Sequence, residues 1–564
     1  MRPLLLFAAL TALASVSCYS PGDGQAPPIN ELYFPTGLAL DQPDPNTAPR
    51  YLYAASSDFD LQFRSSGLIS YDLELVRAQV PRNCSSDLDC DTSAGEQCDD
   101  AAAPDAADLA AHTLHVPSYF CVTDPAQPCG SVGEQNAADR LLYPGRCQSF
   151  EPTQFIHSTV GIGAFATDVV YAANPSPDQG GPAARLFLPV RGDASLHWIN
   201  LDNGNLECNQ GQTSDGSCDQ SHRAGHDPSA SNNNYTQLAE PFGIAVTQDG
   251  GYVAITNQTT GSVSLYKHDW PADSNPQLVS VAGYLPSAPV AIAAVPNADP
   301  GLFSNSSSPK PEPGFLVVYK NAAQVDLLRV RADNTDDPAN PAAASYSRYL
   351  LTYAGSASIG ANSLGFDSRD ILIDDSQRQL DYAACAANDP TQSCLLAVHQ
   401  PQVYVTNRAP SSLLVGAMLK DISYASGTSD LPFFYDSVPL TVGPSRVVRG
   451  RVKVPPSGKD DTANGFGLTD ERGRLYDLEP RLFVICFDST RIFVYDPQRK
   501  TVETVIETGR GPSALAVDEL RGLAYVGYFT DSYLGVISLD QRFPQNYAAT
   551  VASIGFPVAP RTSK

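Results

Sequence analysis

Cations are scarce in this sequence. Of 564 residues, 36 are Lys or Arg against 61 Asp or Glu, a formal net charge of -25. Nucleic acids and anionic membrane surfaces are bound by clustered Lys and Arg, so neither is an expected partner. Tryptophan is reduced to Trp198 and Trp270, and the eight histidines are scattered without a visible triad. After the first twenty residues nothing approaches the ~18 uninterrupted apolar residues of a membrane helix. A GxSxG elbow, an HExxH pair and a CxxC pair are also missing, which removes the common serine-hydrolase, metalloprotease and zinc-ribbon signatures. Charged residues make up only 17% of the chain, whereas Pro and Gly number 46 and 41. That is a turn-rich, ordered composition of extracellular type.

The opening MRPLLLFAALTALASVSC has one basic residue, an apolar run and then small residues, which is the layout of a secretory signal. Ala14-Ser15-Val16-Ser17-Cys18 resembles the lipobox of bacterial lipoproteins, although Ser15 stands where that family usually has leucine. The resemblance implies a signal peptide over 1–17, lipidation at Cys18 and a tether over 18–30; an ordinary cleaved signal is the alternative. Tyr19, where an aspartate would mark retention, resembles lipoproteins sorted to an outer membrane, facing the periplasm or the cell surface.

Cysteine arithmetic agrees with export. Ten cysteines form even local groups: Cys84, Cys90, Cys98, Cys121, Cys129 and Cys147, then Cys208 with Cys218, then Cys385 with Cys394. Disulfides are expected among them. Cys486, in the apolar run RLFVICFD, is left over and reads as a buried small hydrophobe.

A motif of Pro or a small residue, any residue, a small residue and then alternating apolar residues recurs seven times. It begins at Pro35, Ala166, Pro241, Pro289, Ser368, Pro444 and Pro512; the second, fourth and fifth copies are weak alone. Each is followed by an apolar run ending in Asn, Asp or another polar residue, such as YVAITNQ, and then by a further run such as TRIFVYD. Strand, polar turn, strand is the hairpin signal, and the Asn or Asp is expected to supply a positive φ. KTVETVIETG adds a fourth strand. Repeated four-stranded units of this kind predict an all-β, seven-bladed β-propeller over 31–560, with a disulfide-rich insertion and long loops. Blade seven is expected to close against blade one.

Tyr404-Val405-Thr406-Asn407 and its flanking strands resemble the YVTN family of seven-bladed propellers. That resemblance implies the fold, and implies function only broadly: surface, binding and scaffold proteins related to lactonase-type propellers.

Residues 80–150 form a cysteine-rich insertion within the propeller and 203–235 a loop insertion with a cysteine pair. The spacing after Cys84 resembles short disulfide-rich segments of secreted myxobacterial proteins. Asp87, Asp89, Asp91, Asp99 and Asp100 lack the EF-hand spacing and read as a solvated acidic loop. His222 and His226 are read as exposed loop histidines. The polar stretches 296–313, 332–345, 374–395 and 453–478 read as further long loops.

At the third motif position the seven blades carry Gly37, Asp168, Gly243, Ala291, Asp370, Arg446 and Ala514. Small residues fit a narrowing channel. Asp168, Asp370 and Arg446, with Arg369 beside them, are the candidate channel-mouth residues, able to bind a polar ligand or do acid–base work. The alternative is that Arg446 pairs with an aspartate across the channel and serves the fold. Quinone-dependent propellers would show repeated tryptophan motifs, and a complete lactonase metal set cannot be placed, so no cofactor or metal is expected. The function these features support is a monomeric, envelope-anchored platform binding protein or glycan. The alternative is a lactonase-type hydrolase working at the channel mouth.

Overall fold

The computed structural model describes residues 25–42, 47–60, 62–100, 119–123, 149–208, 216–225, 236–271, 274–296, 312–333, 348–359, 366–388, 399–418, 431–459 and 461–556. Cys18, Cys129, Cys147, Cys394 and His226 lie outside them, as does the side chain of Cys385.

Seven antiparallel sheets follow one another along the chain, each wound outward from its innermost strand, and they form a seven-bladed β-propeller. Blade one holds Pro35–Leu40, Tyr51–Ser56, Ser66–Asp72 and Ile156–Ile162. The innermost strands of blades two to seven are Val170–Ala173, Pro241–Val246, Pro289–Ala294, Phe366–Asp374, Pro444–Val454 and Pro512–Asp518. Every copy of the sequence motif therefore falls at the start of an innermost strand.

The reason lies in side-chain alternation. The second strand of each blade is buried on both faces, so successive residues must be apolar toward opposite neighbours. In blade four, Phe315 and Val317 pack against blade three, while Leu316 and Val318 pack against blade five. Seven apolar clusters result, one at each junction between blades.

A one-residue slip in strand pairing recurs within the motif. It separates Pro35 from Gly37, Pro444 from Arg446 and Pro512 from Ala514, with equivalents in blades three, four and five. In blade two the same slip lies between the Ala166–Val190 bridge and the Val170–Phe187 pair. A bulge of this kind re-aims the residue beside it, which is how the third motif position is turned to the channel.

Ring closure uses an unexpected strand. Ser149–Phe150, on the path into the outermost strand of blade one, pairs in parallel with Thr550–Ile554 of blade seven. At the inner edge the Ser513 hydroxyl donates to the Pro35 carbonyl at 2.5 Å.

Several local expectations need correction. The Asn closing the second strand does not supply the positive φ; that falls later, on Gly261 and on Thr490 and Ser532 in the corresponding turns of blades six and seven. Asn257 and Asn407 are instead fully buried hydrogen-bonding hubs. Asn257 Nδ2 donates to the Ser262 and Ser264 hydroxyls, and Asn407 Nδ2 to the Pro410 carbonyl. His222 is not exposed: a short turn, Gln220–His222, tucks it to 5% exposure over Trp198, with Nδ1 3.0 Å from Asp219. Within 374–395, residues Ser376–Asn388 form a helix.

The acidic insertion is also more ordered than a solvated loop. Cys84–Cys98 and Cys90–Cys121 are disulfides, as is Cys208–Cys218 in the second insertion. Asp89 accepts from the Ser85 amide and hydroxyl, Asp87 from the Cys98 amide, and Asp99 is 2% exposed. The insertion docks on blade seven through Asn83, whose amide reaches the Ser538 hydroxyl at 2.9 Å. Cys486 is a buried free thiol.

Candidate functional site at the channel mouth

The residue preceding each motif has a positive φ in all seven blades: Phe34, Phe165, Glu240, Ala288, Asp367, Gly443 and Gly511, from 46° to 87°. Only two are glycine, so five blades carry strain of order 1 kcal/mol or more at this point. The conformation aims that residue's own carbonyl at the end of the second strand. There the Arg191, Lys320, Phe487 and Phe529 amides donate to Phe165, Ala288, Gly443 and Gly511 at 2.7–3.1 Å. A seven-fold rim of tight corners results.

Next comes the third motif position. Gly37 and Gly243 are small because neighbouring strands press in on them. A Cβ on Gly37 would lie 2.5 Å from the Val169 nitrogen, and one on Gly243 would lie 2.7 Å from the Val290 carbonyl oxygen. Where charge replaces a small residue, the charges meet. Arg446 Nη1 donates to Asp168 Oδ1 at 3.1 Å, each side chain keeping about a quarter of its surface open to the channel (23% and 24%). Asp370 is held differently: Oδ1 accepts from its neighbour's Ile371 amide at 2.9 Å and Oδ2 from the Val447 amide of blade six at 2.9 Å. Arg369 turns to Asp367, 2.6 Å away, instead of joining them.

Burial pushes the Asp370 carboxyl up to about 6, even though Arg446 and the two amides pull it down. For Arg446, burial pulls the guanidinium down, but Asp168 and Asp370 outweigh it and hold it above its usual value. Asp168 thus pairs with the guanidinium directly, while Asp370 feels it only at a distance.

Above the charges is a cavity of about 280 Å³. Phe59, Phe165, Phe242, Phe487 and Phe529 face it together with Arg191, Arg369 and Arg446. The rings form a collar: Phe59 and Phe529 centroids are 5.4 Å apart, Phe59 and Phe165 6.3 Å, and Phe487 and Phe529 6.0 Å. Phe59 is 58% exposed. Sequence reasoning missed this collar, although its signal was present. Phe34 and Phe165 immediately precede the motif, and Phe487 and Phe529 directly follow the second strand of their blades.

The fold has structural relatives at low identity. A candidate 6-phosphogluconolactonase from Bacteroides uniformis is 11% identical, with 85% of this chain and 87% of that one covered and a TM-score of 0.40. One from Bacteroides fragilis is 10% identical, covering 85% and 86%, with a TM-score of 0.39. Hydrazine synthase from Kuenenia stuttgartiensis is 11% identical over 64% of this chain and 94% of that one, TM-score 0.31. No protein-family model matches the chain, and no curated protein matches it in sequence. These likenesses say nothing of its chemistry, which has to be read from the mouth itself.

Proposed function

We propose that this chain is a YVTN-like binding propeller, exported and lipid-anchored at Cys18 on an outer membrane, whose rigid ring presents the channel mouth and its loops to a protein or glycan. The observation that carries this reading is the Arg446–Asp168 ion pair lying beneath an open phenylalanine collar. The charges that would do chemistry are tied to one another or to backbone amides, while the phenylalanine rings line the cavity and Phe59 is exposed. Aromatic and arginine side chains are enriched at binding hot spots, because they give large contact area at small entropic cost.

A hydrolase of the lactonase type keeps one supporting observation: Asp370, a carboxyl near 6 below a cavity, is suited to acid–base work. Turnover of a panel of aldonolactones by the wild-type chain and by D370N separates the two readings. The binding reading expects both proteins to match the uncatalysed rate. Hydrolysis that disappears in D370N would establish the second. The anchor is tested by mass spectrometry of the mature N-terminal peptide, expected to carry a diacylglyceryl Cys18; an unlipidated terminus contradicts it.

A further inference from the structure

The innermost strand of blade six runs from the mouth at Pro444 to its far end at Val454. Beside that far end lies a groove of about 1380 Å³, walled by the disulfide insertion of blade one and by blades six and seven. Its lining carries seven cations and six carboxylates, in a chain whose net charge is -25.

Most of those charges cancel in pairs. Arg82 meets Glu96 at 2.5 Å, Arg474 meets Asp89 at 2.7 Å, and Arg542 meets Asp540 at 2.7 Å. Arg77 pairs with Glu471 and Arg521 with Glu74. Two cations stand outside these pairs: Arg472, which donates to the Asp89 carbonyl, and Lys453. Lys453 is 6% exposed; its backbone amide donates to the Leu539 carbonyl at 3.0 Å and its carbonyl accepts from the Gln541 amide at 2.8 Å, while its ammonium nitrogen lies 4.4 Å from the centroid of the Tyr476 ring and, among the described residues, forms no ion pair. Its aliphatic stem packs against the turn at Gly522. Burial pulls the amine down to about 8, with Asp540, Asp470 and Asp518 opposing from a distance and Arg542 reinforcing the fall.

A buried ammonium without a carboxylate is costly, and proteins normally pair or neutralise it. Here the unpaired charge lies in the wall of a large polar groove, one residue from the end of its strand, where an external anion can complete it. Arg542 is already fixed beside it, stacked 5.1 Å from the same Tyr476 ring and braced by Asp540.

We propose that this groove is an oxyanion-binding site, with Lys453 as its charge anchor, taking the carboxylate or phosphate of a small ligand. The site is separate from the channel mouth, and its existence does not depend on the reading given for that mouth. A charge-assisted hydrogen bond to an oxyanion satisfies the ammonium and returns the desolvation cost as affinity.

Calorimetric titration of the full chain with inorganic phosphate, and separately with glucuronate, at fixed ionic strength tests this. Saturable binding of either is expected, at least tenfold weaker in K453M, and the ligand that binds tells phosphate from carboxylate recognition. K453M should fold and keep its melting temperature, because it removes a charge without a partner. Trace acylation of the wild-type Lys453 amine supplies a readout that needs no variant: the bound anion should slow it. Absence of binding by both probes, equal affinity in K453M, or acylation indifferent to the anion would overturn the proposal.

Discussion

Arg446 in blade six and Asp168 in blade two lie 278 residues apart in the chain, yet their side chains meet across the channel at 3.1 Å. The contact spans the ring and ties non-adjacent blades. It also leaves the second carboxyl of the mouth, Asp370, to two backbone amides.

Asp370 should make stability fall as pH rises. Its folded-state value of about 6 lies above the ordinary 3.8, so the folded chain binds the extra proton between those values. Its contribution is fully present below about pH 4 and is lost as pH rises through 6. Melting temperatures of wild type and D370N measured from pH 4 to 7 should converge on the acid side and separate above 6, with D370N the less pH-dependent. Parallel curves would show that Asp370 is not the group responsible.

Gly37 should tolerate no side chain. An alanine there would drive Cβ into the backbone of Val169, so G37A is expected to cost about 1–3 kcal/mol in denaturant unfolding through overpacking. A514G, at the equivalent position of blade seven, should cost about 1 kcal/mol. A G37A variant as stable as wild type would contradict the close approach of the Val169 backbone to Gly37.

These two positions also show how far the sequence could be read. The motif was legible because a bulged innermost strand demands a small residue where neighbouring strands converge, and because both faces of the next strand must be apolar. The blade order and the ring of third positions follow from that alone. What the turn asparagines do was not legible: Asn257 and Asn407 look like turn formers, but burial turns them into hydrogen-bonding hubs. Neither His222 nor Lys453 could be placed, since one is hidden by a short turn over Trp198 and the other between the Gly522 turn of blade seven and the Tyr476 ring.

The disulfides of the insertion should act locally, although its Phe120 and Val122 join the apolar cluster between blades one and seven. Removing the Cys84–Cys98 bridge, which spans 14 residues, takes about 3 kcal/mol of loop-closure stabilisation from a segment with little apolar core. C84S/C98S is expected to be cut by chymotrypsin at Leu88, Tyr119 or Phe120 under conditions where the propeller resists, with its main thermal transition unchanged. Loss of that transition would mean that the bridge holds Phe120 and Val122 in the propeller core.

The Arg446–Asp168 contact itself is the most direct test of a mouth built for the ring and not for chemistry. In a double-mutant cycle of R446M, D168N and the pair, R446M leaves both channel carboxyls without their guanidinium and D168N leaves Arg446 with the more distant Asp370 alone. Equilibrium unfolding should give a coupling energy of about 1–3 kcal/mol, reduced from the fully buried range because both side chains are partly exposed. The double variant should therefore be more stable than the sum of the single losses allows. Additive losses with no coupling would show that Arg446 is free in the channel, and the structural account of the mouth would be wrong.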